Sequence, residues 1–413
     1  MDEHEPVRLM VLDTSPVNAG GAQILFHYCA MFDPGRVRPT IVLHEENLWV
    51  ERYRKAGTAD VVVERGMLQS GTVTPVHQQP LTSFVPQFLS AVLHMTPAVL
   101  RLADEVRRRR IDVVMGLSDT PAALAAVLGT LTGRPAIMHL VSTYVNRFEP
   151  AALTAVGMLP AVRRVLQLSR YSASQFPRLL PKTVTVYSGI DYEEMQRPLL
   201  PALRGRYGFS ADTPLVGIAG RFYDVKGMDV FARAAARIAA QVPEARFFML
   251  GDDRGAYGDS VHALVRELGL ADRVVFTGFV DDMHAALADL DVVVVPSRRE
   301  CAPVVIFESM ALGKPVVASD IHGIPELVDR GRTGLLVPVN DDAAVAAAVL
   351  ELLADPERRR RMGEDARRRV REQFDARQGA RRVQDVVTAV AAEPILPWLP
   401  PRRSPPRPDV RPG

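Results

Sequence analysis

Apolar residues along the chain follow two alternating rhythms. Short β-branched runs at Val7–Asp13, Thr40–Leu43, Asp60–Val63, Asp112–Leu117, Ala136–Leu140 and Thr183–Tyr187 are separated by longer stretches, such as Ala22–Phe32, Leu89–Arg110 and Pro121–Thr132, with apolar positions at helical spacing. Strands divided by helices predict βα units and parallel sheets, an α/β fold. Between Arg65 and Pro86 the rhythm breaks at Gly66, Gly71, Pro75, Pro80 and Pro86, which predicts a long loop, of a length that tends to be functional or mobile in a compact domain. Around Arg197, Pro198 and Pro201 the pattern pauses again, as at an inter-domain linker.

Beyond that pause the rhythm restarts with strands expected at Leu215–Ala219, Arg246–Leu250, Val274–Thr277, Val292–Pro296 and Pro315–Ala318. Helices are expected at Asp342–Ala354, Pro356–Phe374 and Ala376–Ala392, and the proline-rich residues 393–413 are expected to be disordered. The chain therefore divides into a first βα domain over 1–198, a second over 199–375, a helix over 376–392 that packs back on the first domain, and the tail.

A length of 413 residues lets each half bury its own core, and no uncharged run is long enough to span a membrane. The acidic start, MDEHEPVRLMVLD, has none of the features of a secretory signal, so the expected location is the cytoplasm. Two cysteines, Cys29 and Cys301, suit neither a zinc site nor a disulfide framework. A net charge of +2 argues against a nucleic-acid partner. Arginine runs at 107–110, 358–361 and 367–369 read as solvated helix faces, with peripheral attachment to an anionic inner membrane face as the functional rival; the apolar stretch Leu81–Leu102 also keeps a membrane-surface acceptor open.

In parallel sheets ligands bind beyond the carboxyl ends of the strands. Gly220-Arg221-Phe222-Tyr223-Asp224-Val225-Lys226-Gly227 follows the strand Leu215–Ala219, so Arg221 and Lys226 fall where a diphosphate would sit. Arginine offers a planar fork of donors and lysine a point charge, and together they can neutralise a departing nucleotide. Glu300-Cys301-Ala302-Pro303-Val304-Val305-Ile306-Phe307-Glu308 follows the next apolar strand. Pro303 suits a first helical position, which leaves Glu300 in the loop, free amides at Val304 and Val305, and Glu308 at a buried position where a ribose diol can supply donors.

Downstream lie Gly313-Lys314-Pro315, Gly323-Ile324-Pro325-Glu326 and Gly334-Leu335-Leu336-Val337. The run from Gly220 to Val337 resembles the donor domain of retaining GT-B glycosyltransferases of family GT4, in which an E-x7-E pair follows an Arg/Lys phosphate clamp. The resemblance implies two Rossmann-like domains facing each other across a cleft. It implies transfer of a sugar from a nucleoside-diphosphate sugar to a hydroxyl on a glycan, lipid or small metabolite, with retained configuration and no metal or other cofactor. A nucleotide-sugar epimerase or a non-catalytic sugar-nucleotide-binding partner are the alternatives. Carried over by residue, Arg221 and Lys226 match the diphosphate pair, Glu300 the carboxylate at the donor sugar and Glu308 the ribose ligand. Gly251-Asp252 resembles the loop beneath the donor, and Gly278-Phe279-Val280 the loop at the nucleobase. Gly20-Gly21, between the first strand and helix, resembles the family's glycine-rich loop. His139 is the candidate for a histidine that meets the donor sugar or the acceptor, with Val141 as the alternative register. Ala302 and Pro303 depart from the family's usual aromatic and glycine, and proline has no N–H to give.

Overall fold

The structure, a computed structural model, describes residues 5–15, 20–67, 81–144, 148–199 and 202–393. The proline-rich tail from 394 and the segment 68–80 of the expected loop lie outside the described residues.

Seven strands build the first sheet: β1 (Val7–Asp13), β2 (Val37–Leu43), β3 (Asp60–Val63), β4 (Val113–Leu117), β5 (Ala136–Leu140), β6 (Val162–Gln167) and β7 (Thr183–Thr185). Their order is β3-β2-β1-β4-β5-β6-β7, parallel throughout. The helices between them are α1 (Gly20–Met31), α2 (Leu48–Ala56), α3 (Leu81–Arg108), α4 (Asp119–Thr132), α5 (Phe148–Gly157) and α6 (Arg170–Ser174). Two short helices, α7 (Tyr192–Met195) and α8 (Leu203–Tyr207), lead to the second sheet.

That sheet has β8 (Leu215–Ala219), β9 (Arg246–Leu250), β10 (Val274–Phe276), β11 (Val292–Val295), β12 (Val316–Ser319) and β13 (Gly334–Val337), parallel in the order β10-β9-β8-β11-β12-β13. Its helices are α9 (Met228–Ala239), α10 (Ala256–Glu267), α11 (Met283–Asp289), α12 (Val304–Ala311), α13 (Ile324–Leu327), α14 (Asp342–Ala354) and α15 (Pro356–Gln373). The last helix, α16 (Ala376–Ala392), returns to the first domain, where it packs on α1.

The central strands read as unbroken apolar runs because helices cover both faces of each sheet; all four residues of β11 are fully or nearly fully buried. A single buried cluster joins Leu25 and Tyr28 of α1 to Phe307 of α12, Phe374 and Val383, so the domains share part of their core. The crossing between them is pinned by two backbone bonds, Ile190 N–H to the Phe374 carbonyl (3.0 Å) and Ala376 N–H to that of Ile190 (2.9 Å).

Several elements differ from the sequence expectation. Residues 81–86 are helical, because α3 begins at Leu81 and continues through Pro86 and Pro97. Pro303 is the N-cap of α12, extended at ψ 123, so the helix starts one residue later than expected. β6 was hidden by Arg163, Arg164 and Gln167: the first two lie 3.7 and 2.8 Å from Glu393 at the end of α16, and Gln167 is fully buried.

Candidate active site

Strand order reverses direction between β1 and β4 in the first sheet and between β8 and β11 in the second, and such switch points open a crevice beyond the strand ends. Gly20 and Gly21 follow β1; Gly220 follows β8; Ser297 and Glu300 follow β11. Gly20 and Gly21 are the first residues of α1 and not part of a loop before it; a Cβ on Gly21 would lie 3.5 Å from Ser15 Oγ and 3.7 Å from Leu117 Cδ2, which places this helix start at the ends of β1 and β4.

In the second domain three loops converge. Gly251 has φ 136, and a Cβ there would sit 2.1 Å from the Gly220 carbonyl oxygen, so only glycine lets the ends of β8 and β9 approach this closely. Its N–H donates to the Gly278 carbonyl at 3.0 Å, which brings the β10 loop alongside. Val280 of that loop packs half-buried on the core while Phe279 stands 70% exposed. The carboxylate of Asp252 turns outward onto Arg254, with both bonds at 2.6 Å, and this pairing pulls its pKa down to about 2. What Asp252 presents inward is its carbonyl, which accepts the Phe222 N–H at 3.3 Å.

The cations are held differently. Arg221 is exposed and rests over the ring of Tyr223, 4.8 Å from its centre, with no carboxylate partner among the described residues. Lys226 ends a 3₁₀ turn, Asp224–Lys226, that Arg298 clamps to the end of β11: Arg298 N–H donates to the Val225 carbonyl at 2.8 Å, and its guanidinium grips Asp229 at 2.7 and 3.0 Å. So braced, Lys226 Nζ forms an ion pair with Glu300 Oε1. Ser297 Oγ donates to the same oxygen at 3.4 Å, and Glu300 N–H to His322 Nδ1 at 3.4 Å.

Glu300 lies in the loop that leads into α12, whose N-cap, Pro303, has no side-chain cap bond. The N–H of Ile306 already bonds the Pro303 carbonyl (3.0 Å), which leaves the amides of Val304 and Val305 without a partner inside the helix. Glu308, one turn further in, is 8% exposed, with His284 Nε2 3.5 Å from its Oε1. Burial lowers the pKa of His284, but the bond and charge of Glu308 more than offset this and leave it raised.

His139 does not join this group. Its ring is fully buried in the first domain, stacked at 6.2 Å on Tyr28, with neither nitrogen hydrogen-bonded, and burial drives its pKa down to about 4. The side chain at this point of β5 points into the core, so the assignment of His139 to catalysis is corrected; half-buried Val141, two residues on, would lie 4.0 Å from a Cβ on Gly21.

Sequence reasoning passed over Ser297, Arg298, His284 and His322. The strand-end rule would have picked out Ser297 and Arg298, which follow β11 after Pro296; the histidines carry no sequence signal. A cavity of about 920 Å³ lies elsewhere, at the start of β1 and β2, and its Arg8, Arg108 and Arg109 are already paired with Glu5, Glu105 and Asp60.

Residues 213–355 match the family described as Glycosyl transferases group 1. Over 293 residues the chain is 30% identical to a GDP-mannose-dependent alpha-(1-6)-phosphatidylinositol monomannoside mannosyltransferase of Mycolicibacterium smegmatis, an alignment that takes in 65% of this chain and 76% of that one. The chain belongs to the group 1 glycosyl transferases. It is also 35% identical over 190 residues to an N-acetyl-alpha-D-glucosaminyl L-malate synthase of Bacillus anthracis, where the match spans 46% of this chain and about half of the relative, 49%. A crystal structure of Anabaena HepE in complex with UDP superposes with TM-score 0.77 at 20% identity, over 93% of this chain and 100% of that one, and this likeness shows the GT-B fold.

Proposed function

We propose that this member of the family transfers a sugar from a nucleoside-diphosphate sugar to a hydroxyl acceptor, with retention of configuration. The observation that carries the reading is the Lys226–Glu300 ion pair set before the uncapped start of α12: a cation, a carboxylate and two free amides lie within one loop cluster. Diphosphate chemistry suits the cation and the amides, and a sugar's hydroxyls suit the carboxylate.

In this reading Lys226, Arg221 and the Val304 and Val305 amides stabilise charge on the departing diphosphate. Glu300 orients the sugar, Glu308 accepts from the ribose hydroxyls, and exposed Phe279 offers a face to the base. The acceptor attacks from the face the leaving group vacates, and a leaving phosphate oxygen takes its proton. The cations do the electrostatic work that a metal does elsewhere, and docked domains exclude water. The name of the mycobacterial relative specifies GDP-mannose and the Anabaena structure holds UDP, so nucleoside diphosphates are the ligands to test first.

We place the enzyme in the cytoplasm. No helix among the described residues is long and apolar enough to cross a membrane. Arginines of α15 are engaged within the protein, Arg360 with Glu357 and Glu364, and Arg367 and Arg369 with backbone carbonyls, which weakens the case for a membrane-facing basic surface.

A ligand that binds only the folded state raises its stability. UDP, GDP or ADP is expected to raise the melting temperature of the wild type but not of an Arg221→Ala/Lys226→Ala double variant. Equal stabilisation of both proteins overturns the assignment.

A further inference from the structure

Helix α6 of the first domain has three amides at its start that need partners. Its own cap, Ser169 Oγ, accepts only the third, from Ser172 at 3.1 Å. The first two, on Arg170 and Tyr171, donate at 2.9 and 2.8 Å to the two carboxylate oxygens of Glu326, a residue of α13 in the second domain. The Tyr187 hydroxyl donates to the same carboxylate at 2.8 Å, and Arg170 Nε lies 3.4 Å from it. With its side chain 12% exposed, Glu326 is a nearly buried anion whose donors all come from the opposite domain.

The contact leads straight to Glu300. Tyr171 lays its ring 4.6 Å from that of His322, and His322 Nδ1 accepts the Glu300 N–H. Ser169 Oγ lies 3.7 Å from the thiol of Cys301, the next residue. A Cβ on Gly323 would fall 1.8 Å from the Cys301 carbonyl and 3.0 Å from Ser169 Cβ, so three segments meet there with no room between them. His322, at φ 50, holds a conformation that non-glycine residues seldom adopt, and its neighbours must fix it.

We propose that Glu326 is a positioning residue for Glu300: by capping α6 across the domain boundary it presses Ser169 and Tyr171 against Cys301 and His322, and fixes the 300–303 loop when the domains are docked. The proposal deepens the functional reading above, in which Glu300 meets the donor sugar, but the holding of the loop is testable without it.

Cys301 is a built-in reporter, 7% exposed, and Cys29, 2% exposed in the core of the first domain, is its control. Native protein is alkylated with iodoacetamide and each cysteine is followed by peptide mass spectrometry. Glu326→Ala is expected to label Cys301 at least about tenfold faster, the change in an opening equilibrium that about 1.4 kcal/mol represents, with Cys29 unchanged. Glu326→Gln, whose amide oxygen still accepts one N–H, falls between. If Glu326→Ala does not fold, Tyr171→Ala and Tyr187→Phe each remove one contact and are expected to give smaller rises. Folded variants that label Cys301 at the wild-type rate, or that expose both cysteines alike, overturn the proposal. A wild type that binds no nucleoside diphosphate defeats the functional reading instead and leaves this comparison standing.

Discussion

Replacing Glu300 by glutamine tests the electrostatics of the site in a direction that general damage does not imitate. Lys226 is held by the Glu300 carboxylate, with side-chain exposures of 29% and 12%. Exposed ion pairs are worth at most about 1 kcal/mol, and breaking a buried one costs about 3–5 kcal/mol. A half-buried pair lies between, so about 1–2 kcal/mol ties Lys226 to Glu300, and an incoming diphosphate must overcome it. Glu300→Gln releases Lys226 and removes a negative charge beside the phosphates, so affinity for a bare nucleoside diphosphate is expected to rise about 5- to 30-fold. Isothermal titration with UDP and with GDP at fixed low ionic strength measures this, and added salt is expected to narrow the gap. On the proposed function, sugar transfer is expected to fall, because the carboxylate assigned to orient the sugar is lost. Unchanged or weaker nucleotide binding by a folded Glu300→Gln protein refutes the reasoning.

The buried histidine and the tightest glycine give two further tests. Unfolded, His139 protonates near its ordinary 6.5, but folded only near 4. Between those values the unfolded state binds more protons, so stability falls as pH drops through the window, by up to about 3 kcal/mol. His139→Leu is expected to flatten that acid limb in melting curves from pH 7.5 to 4.5 while transfer activity persists; a folded variant without activity would return His139 to the cleft. Gly251→Ala puts a Cβ against the Gly220 carbonyl at a φ that alanine avoids, and is expected to cost about 3 kcal/mol, read as a fall of roughly 6–12 °C in melting temperature. A shift under about 2 °C would mean the strand ends part easily.

Much of the architecture was legible because burial on both faces writes a parallel strand as an apolar run. β8, β9 and β11 could be read within a residue of their observed bounds. β6 could not, since its arginines look solvent-facing until Glu393 arrives from 229 positions away along the chain to pair with Arg164. Pro86 argued for a break, yet α3 passes through it.

The candidate site divides along the same line. The chain alone determined which chemistry lies at the strand ends, because the loops that follow buried parallel strands emerge at the crevice, and Gly220, Lys226 and Glu300 lie in such loops. Only the tertiary structure decided which of them touch: that Lys226 pairs with Glu300, that Asp252 turns away to Arg254, that His139 points into the core, and that Glu326 caps a helix of the other domain. Side-chain direction and cross-domain contact depend on how neighbouring and distant segments pack, from two residues apart for Asp252 and Arg254 to 155 for Tyr171 and Glu326, which periodicity within a window cannot encode.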